Sequence, residues 1–116
     1  YPYSKSTVVR GFADMEYPMM VNDSSFEDPN FARFVVQHEI LHTWFPFYMG
    51  INEARYGFMD EGWTTAFENF IIKKDLGEER ANQMFKMFRV QGWAKNPAPS
   101  SDLPIITVGD SITGAA

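Results

Sequence analysis

Both histidines of the chain, His38 and His42, fall in the stretch "QHEILHTWF" (37–45), four residues apart, with Glu39 directly after the first. On a helix, residues four apart stand one turn above each other with Cβ atoms ~5–6 Å apart, so two imidazoles so spaced can converge on one ion. Zinc takes neutral imidazole nitrogen at ~2.0–2.1 Å, and a catalytic zinc keeps one position for water beside three protein ligands. His-Glu-x-x-His on a helix meets this demand, with the glutamate placed to take a proton from that water. Glu39, about 100° further round the helix, points to the flank of such an ion rather than at it. The competing reading is two hydrogen-bonded histidines on a core-facing helix, and a third ligand is what separates the two.

The elements that would hold these groups are legible in outline. Asp28 suits a helix cap and Pro29 the first helical position, where a missing N–H costs nothing. From Asn30 the apolar residues Phe31, Phe34, Val35, Leu41 and Phe45 recur at three and four, a helical period expected to stop at Pro46. His38 and His42 share that face. A second helix is expected over Asp60–Leu76, closed by Gly77, and a third from Glu78 to about Gln91 with Ala81, Met84, Phe85 and Phe88 inward. Upstream, Ser6–Val21 is rich in β-branched and aromatic residues but broken by Gly11 and Pro18, which suits two short strands or one interrupted strand at a sheet edge. "NDSSFEDPN" (22–30) reads as the loop into the first helix, "KNPAPSSDLP" (95–104) as a Pro/Ser loop, and "IITVG" (105–109) as one more strand. The fold class expected is α+β, mainly helical, with a small N-terminal edge-strand region.

Composition narrows the class. At 116 residues and 45% apolar content the chain can bury one modest core. The net charge is −5 with no run of Lys or Arg, so the electrostatic footprint of a nucleic-acid binder is missing. There is no cysteine, hence no disulfide framework, and no apolar run approaches the ~18 residues of a membrane span. No compartment follows from these features. Because the chain starts at Tyr1 and ends on "GDSITGAA", it is expected to be a piece of a larger protein.

Glu61 stands near the start of the second helix, with eighteen residues between it and His42, inside "MDEGW" (59–63). His38-Glu39-x-x-His42 followed after eighteen residues by Glu61-Gly62 resembles the zinc aminopeptidases of the aminopeptidase N and leukotriene hydrolase family, within the gluzincins. The resemblance implies Zn²⁺ held by His38, His42 and Glu61 in a partial thermolysin-like zincin catalytic domain, here divided as a strand and loop region (1–27), the zinc-site helices (28–92) and a loop and tail (93–116). Where the family has Asn-Glu-Gly, this chain has Asp60-Glu61-Gly62, which leaves the ligand in place. Glu68, seven residues on, matches an acidic family position and two helical turns along the same face could orient a liganding histidine; a solvated or helix-pairing glutamate is the other reading. The segment "GFADMEYPM" (11–19) is similar to the family's Gly-Ala-Met-Glu-Asn strand edge. Met15 and Glu16 match, while Asp14 replaces a small residue and Tyr17 replaces Asn. Glu16 inherits by resemblance the carboxylate that holds the substrate's free α-ammonium, against the alternative of an exposed strand residue; Met15 faces the same pocket.

The function so implied is hydrolysis of the N-terminal peptide bond of peptides, with Glu39 as the proton acceptor. The partners implied are peptides with a free N-terminus, bound along the Ala13–Met20 edge, and the remaining domains of the parent chain, which would dock on apolar surface of this piece. Phe12, Tyr17 and Tyr56 are candidates to line the pocket for the first side chain. The family's oxyanion tyrosine has no match at Tyr48 or Tyr56 and is expected beyond Ala116. Two alternatives stand beside this reading: a non-catalytic peptide-binding or scaffolding module derived from a peptidase, and another gluzincin hydrolase, either an endopeptidase or an epoxide hydrolase.

Overall fold

The computed structural model describes residues 1–24, 26–95 and 103–108. Asp28 caps the first helix: its carboxylate accepts the Asn30 N–H at 2.9 Å, and Pro29 takes the first helical position. This helix, α1, spans Pro29–Leu41 and ends a turn earlier than the apolar period suggests. Pro46 is the reason, since its ring crowds the carbonyl four residues back and it has no N–H to give. The chain leaves helical geometry at Phe45 (φ −124°, ψ 103°) inside a π-helical turn over Thr43–Tyr48. Phe45 therefore departs from the α1 face and stacks on Trp63 and Phe67 instead.

Three strands, not one or two, precede α1: β1 (Thr7–Arg10), β2 (Met15–Glu16) and β3 (Met20–Asp23), in the order β1-β3-β2. β1 runs parallel to β3 with Thr7 opposite Met20, and β2 runs antiparallel with Glu16 opposite Val21. Asn22 and Asp23, expected in a loop, complete β3 against Val9 and Arg10. Pro18 sits in the turn between β2 and β3, closed by Tyr17 N–H to Met20 O at 2.9 Å, where a ladder donor is not required. β2 is thus an edge strand, and β3 lies against α1.

The second helical stretch opens as a π-helical turn over Phe58–Gly62 and continues as α2 (Trp63–Leu76). Gly77 has φ 87° and ψ 161°, a conformation that a residue with a Cβ seldom adopts, and it turns the chain into α3 (Glu78–Phe85). The helical path goes on through a π-helical turn (Lys86–Val90) into α4 (Gln91–Lys95), past the expected end at Gln91 and past the 92/93 division. Phe34, Val35, Ile72, Ala81 and Met84 form the buried core between α1, α2 and α3, with Phe26, Phe31 and Leu76 packed on it. Ala81 and Met84 point inward as expected and Phe85 is half-buried, whereas Phe88 keeps 37% of its surface while its ring lies 5.2 and 5.3 Å from those of Phe31 and Phe34.

The result is a small α+β fold, mainly helical. Residues 105–108, expected as a strand, instead form a turn in which Thr107 bonds to Pro104 O through both N–H and Oγ1. β-Branched residues favour a strand only where a neighbouring strand takes up their ladder. Gly109 and most of the 95–104 loop lie outside the described residues. Among the described residues, no helix is long and apolar enough to cross a membrane.

Candidate metal centre

α1 sets His38 and His42 one turn apart, and both are buried, His42 almost completely (1% exposed). Each ring is oriented from behind through Nδ1. His38 Nδ1 lies 2.8 Å from Glu68 Oε2, and His42 Nδ1 lies 2.6 Å from Asp60 Oδ1 and 2.8 Å from the Phe45 carbonyl. These partners only accept, so both Nδ1 atoms carry the hydrogen and donate, and both Nε2 lone pairs face the space between the rings. The kink at Phe45 that ends α1 is what aims its carbonyl at His42. Thr64, fully buried, donates its hydroxyl to the same carbonyl at 3.3 Å.

The two Nε2 atoms are 3.3 Å apart, and Glu61 brings Oε2 to 3.2 Å from His38 Nε2 and Oε1 to 3.5 Å from His42 Nε2. Two imidazole nitrogens and a carboxylate this close repel unless a cation lies among them. Two ligand atoms each ~2.05 Å from one tetrahedrally coordinated ion lie ~3.3 Å apart, the spacing found here. His38, His42 and Glu61 therefore form a group that could hold a metal ion, with two nitrogens and one carboxylate as donors. The Glu61 side chain is 45% exposed, so the cluster opens to solvent on that side and a further position is left for a small ligand.

Glu68 and Arg89 complete the support. Glu68 has no exposed surface, and Arg89 grips it with Nε at 2.7 Å from Oε1 and a terminal nitrogen at 2.8 Å from Oε2. One carboxylate oxygen thus serves Arg89 and His38 together. Asp60 and Arg89 are the members of this network that the sequence pattern did not single out. Asp60 stands only as the neighbour of a ligand, and Arg89 comes from a helix whose apolar period carries no pointer to a buried acid.

Glu39 is 6% exposed and its Oε2 has no hydrogen-bond partner among protein atoms. Burial raises its carboxyl to about 7 against the pull of His38 and His42. Glu16 arrives from β2, its carboxylate within 4.8 Å of ligand atoms of His42, Asp60 and Glu61. Met15, its neighbour, is 40% exposed on the same edge strand. The structure thus gathers His38, His42, Glu61, Glu39, Glu68 and Glu16 in one place. Phe12, Tyr17 and Tyr56 are all exposed, and none lines the cavity beside Glu39.

Burial alone would lower His38, but hydrogen bonds to Glu61 and Glu68 and their charges outweigh it and raise the imidazole to about 9. His42 is raised as well, burial being overcome by Asp60 and Glu61. Glu61 is lowered, chiefly by its bond to His38. In the metal-free protein a proton therefore fills the space among the three donors at neutral pH. Its stabilising contribution is full below the unfolded value of 6.5 and is lost as pH rises through about 9. A metal ion must displace it, so binding at pH 7 should release about one proton or more per ion. Titration calorimetry in buffers of different ionisation enthalpy measures this, and a buffer-independent heat would refute it.

Compared with known proteins, the chain matches no family model, no curated protein and no solved structure.

Proposed function

We propose that the chain carries the zinc site of an aminopeptidase, hydrolysing the N-terminal peptide bond of peptides in a thermolysin-like arrangement. The observation that supports this most is the pair of Nε2 atoms of His38 and His42, 3.3 Å apart, with one Glu61 oxygen 3.2 Å from the first and the other 3.5 Å from the second, and an unpartnered buried carboxylate, Glu39, beside them. Zn²⁺ at His38, His42 and Glu61 would supply Lewis acidity, making a water more acidic and a carbonyl more electrophilic. Glu39 takes the proton of the attacking water and returns it to the leaving amine, a task suited to a carboxyl held near 7. Glu68 and Asp60 fix the histidine rings through Nδ1 and so turn both Nε2 atoms toward the space that an ion would take once the proton there is displaced. Glu16 pairs with the substrate's α-ammonium, and that pairing restricts cleavage to the first bond.

Two measurements test this. Zinc loading at neutral pH should give one ion per chain by elemental analysis, and His38→Ala should lose it; zinc content unchanged by that substitution would end the metal assignment. In the intact parent protein, Glu16→Ala should lower kcat/KM on an aminoacyl anilide by about tenfold or more while N-acetylated substrate stays poor, because a charge-assisted hydrogen bond contributes a factor of that order. An undiminished preference for the free amine in Glu16→Ala would remove Glu16 from that role, whereas wild-type turnover of free and N-acetylated substrates alike would favour an endopeptidase.

A further inference from the structure

The helix α2 turns two faces in opposite directions. Thr64, Glu68 and Ile72, spaced by four, are buried, the first two against the histidines and the last in the core. Trp63, Phe67 and Phe70 keep 44%, 37% and 64% of their surface, and Ala66 and Lys74 are exposed beside them. At ~100° per residue these five positions fall within ~100° of one another, on the side of the helix away from Glu68 and Ile72. The rings make one continuous surface: Trp63 and Phe67 stack at 5.8 Å, both stack on Phe45, and Phe70 follows 6.0 Å from Phe67. Single exposed apolar side chains are ordinary, but a contiguous aromatic row with no acid in it marks a surface built to be covered.

The order of the residues selects a second copy as the cover. Trp63, Phe67, Phe70 and Lys74 are separated by four, three and four, a spacing that reads the same from either end. Two copies of α2 laid antiparallel about a two-fold axis between positions 68 and 69 bring Phe67 against the partner's Phe70 and Trp63 against the partner's Lys74, twice each. Lys74 lays its aliphatic stem along the rings and sets its ammonium at the indole, the best aromatic partner for a cation. Parallel pairing would set one Lys74 against the other, so charge favours the antiparallel arrangement. The area suffices for a reversible dimer. At roughly 200 Å² per aromatic side chain, the exposed fractions of Trp63, Phe67 and Phe70 amount to about 300 Å². Ala66, the Lys74 stem and half-buried Phe45 raise this to about 500 Å² per copy, or about 1,000 Å² in all, the least that a specific interface needs.

We propose that a second copy of this chain docks on the Trp63–Lys74 face of α2 in an antiparallel dimer with two-fold symmetry. Dissociation falls in the micromolar range, as an interface of minimal size requires. Glu68 faces the other way, so both candidate metal centres stay clear of the interface and dimerisation needs no metal.

Sedimentation equilibrium of the metal-free protein across the micromolar range should show a monomer–dimer equilibrium and no larger species. Phe70→Glu should weaken the dimer about a hundredfold, because the two-fold axis buries the new charge twice. Lys74→Glu should weaken it about tenfold, through loss of two cation–π contacts. Both positions are exposed, and should one variant not fold, the other reads the same equilibrium. The chain has no cysteine, so Phe67→Cys and Phe70→Cys each introduce a single thiol. Mixed and oxidised with diamide, the two variants should give the 67–70 disulfide between copies in excess over 67–67 and 70–70. A monomer at every concentration, association that continues past the dimer, or a dimer indifferent to both charge substitutions overturns the proposal. An excess of the like disulfides overturns it too. Every sample is metal-free, so failure of the zinc assignment leaves these results unchanged.

Discussion

In the intact parent protein, Glu39→Gln should keep a full equivalent of zinc and lower kcat by about a thousandfold, the middle of the range for loss of a positioned general base. Retention is expected because Glu39 belongs to neither group of candidate ligands. The loss is expected because the amide preserves the shape of the side chain while removing its ability to accept a proton. Burial adds to the effect: with 6% exposure and an unpartnered Oε2, no bulk water stands ready to substitute as base. Elemental analysis and kcat on an aminoacyl anilide, measured on the same preparation, check the two halves together. A variant within tenfold of wild type with zinc intact would remove Glu39 from the reaction. A variant without zinc would show that the carboxylate helps to hold the ion.

The part of this site that could be read from the sequence is the part carried by one regular element or by an adjacent one. His38 and His42 are legible because a capped helix with a 3.6-residue period fixes their common face, and the cap at Asp28 and Pro29 forms as expected. Glu61 and Glu68 follow from their own spacing of seven on the next helical stretch, which puts both on one side of it. Arg89 could not be read in this way. It reaches Glu68 across a change of helix, and a lone cation on a half-exposed face looks like ordinary surface until the acid opposite it is known to be buried. The Phe45 carbonyl is illegible for another reason: it meets His42 only because Pro46 breaks α1 early, and a break predicts an end, not the direction in which the freed carbonyl points. The sheet suffered from shortness. Period two needs four or more residues to show, and β2 has two, so its pairing with β3 is set by the turn at Pro18 and by α1 beneath rather than by its own pattern.

Arg89 is where the fold and the candidate metal centre depend on the same bond, and its replacement should separate them. Arg89→Met leaves the fully buried Glu68 with His38 as its remaining partner. Removing one member of a buried ion pair costs about 3–5 kcal/mol, and because Arg89 keeps 31% of its side-chain surface the low end applies. A loss of about 3 kcal/mol should lower Tm by roughly 12 °C or more in a chain of this size. The pH dependence has a definite sign. Burial would raise Glu68, but Arg89 and His38 hold it below its ordinary value of 4.5, so the pair's stabilisation is present above about pH 4.5 and is lost as pH falls further. The Tm deficit of Arg89→Met should accordingly shrink in acid. The double variant Glu68→Leu with Arg89→Met replaces both charges by apolar groups and should regain most of the lost Tm. It should not regain the metal site, since His38 Nδ1 then has no carboxylate to orient it, and zinc affinity should stay about 10- to 100-fold below wild type. Thermal unfolding of the metal-free protein and competition against a chelator read the two effects separately. If Tm and zinc affinity recover together in the double variant, Glu68 acts only by keeping the helices in place; if zinc affinity stays low while Tm returns, the carboxylate positions His38.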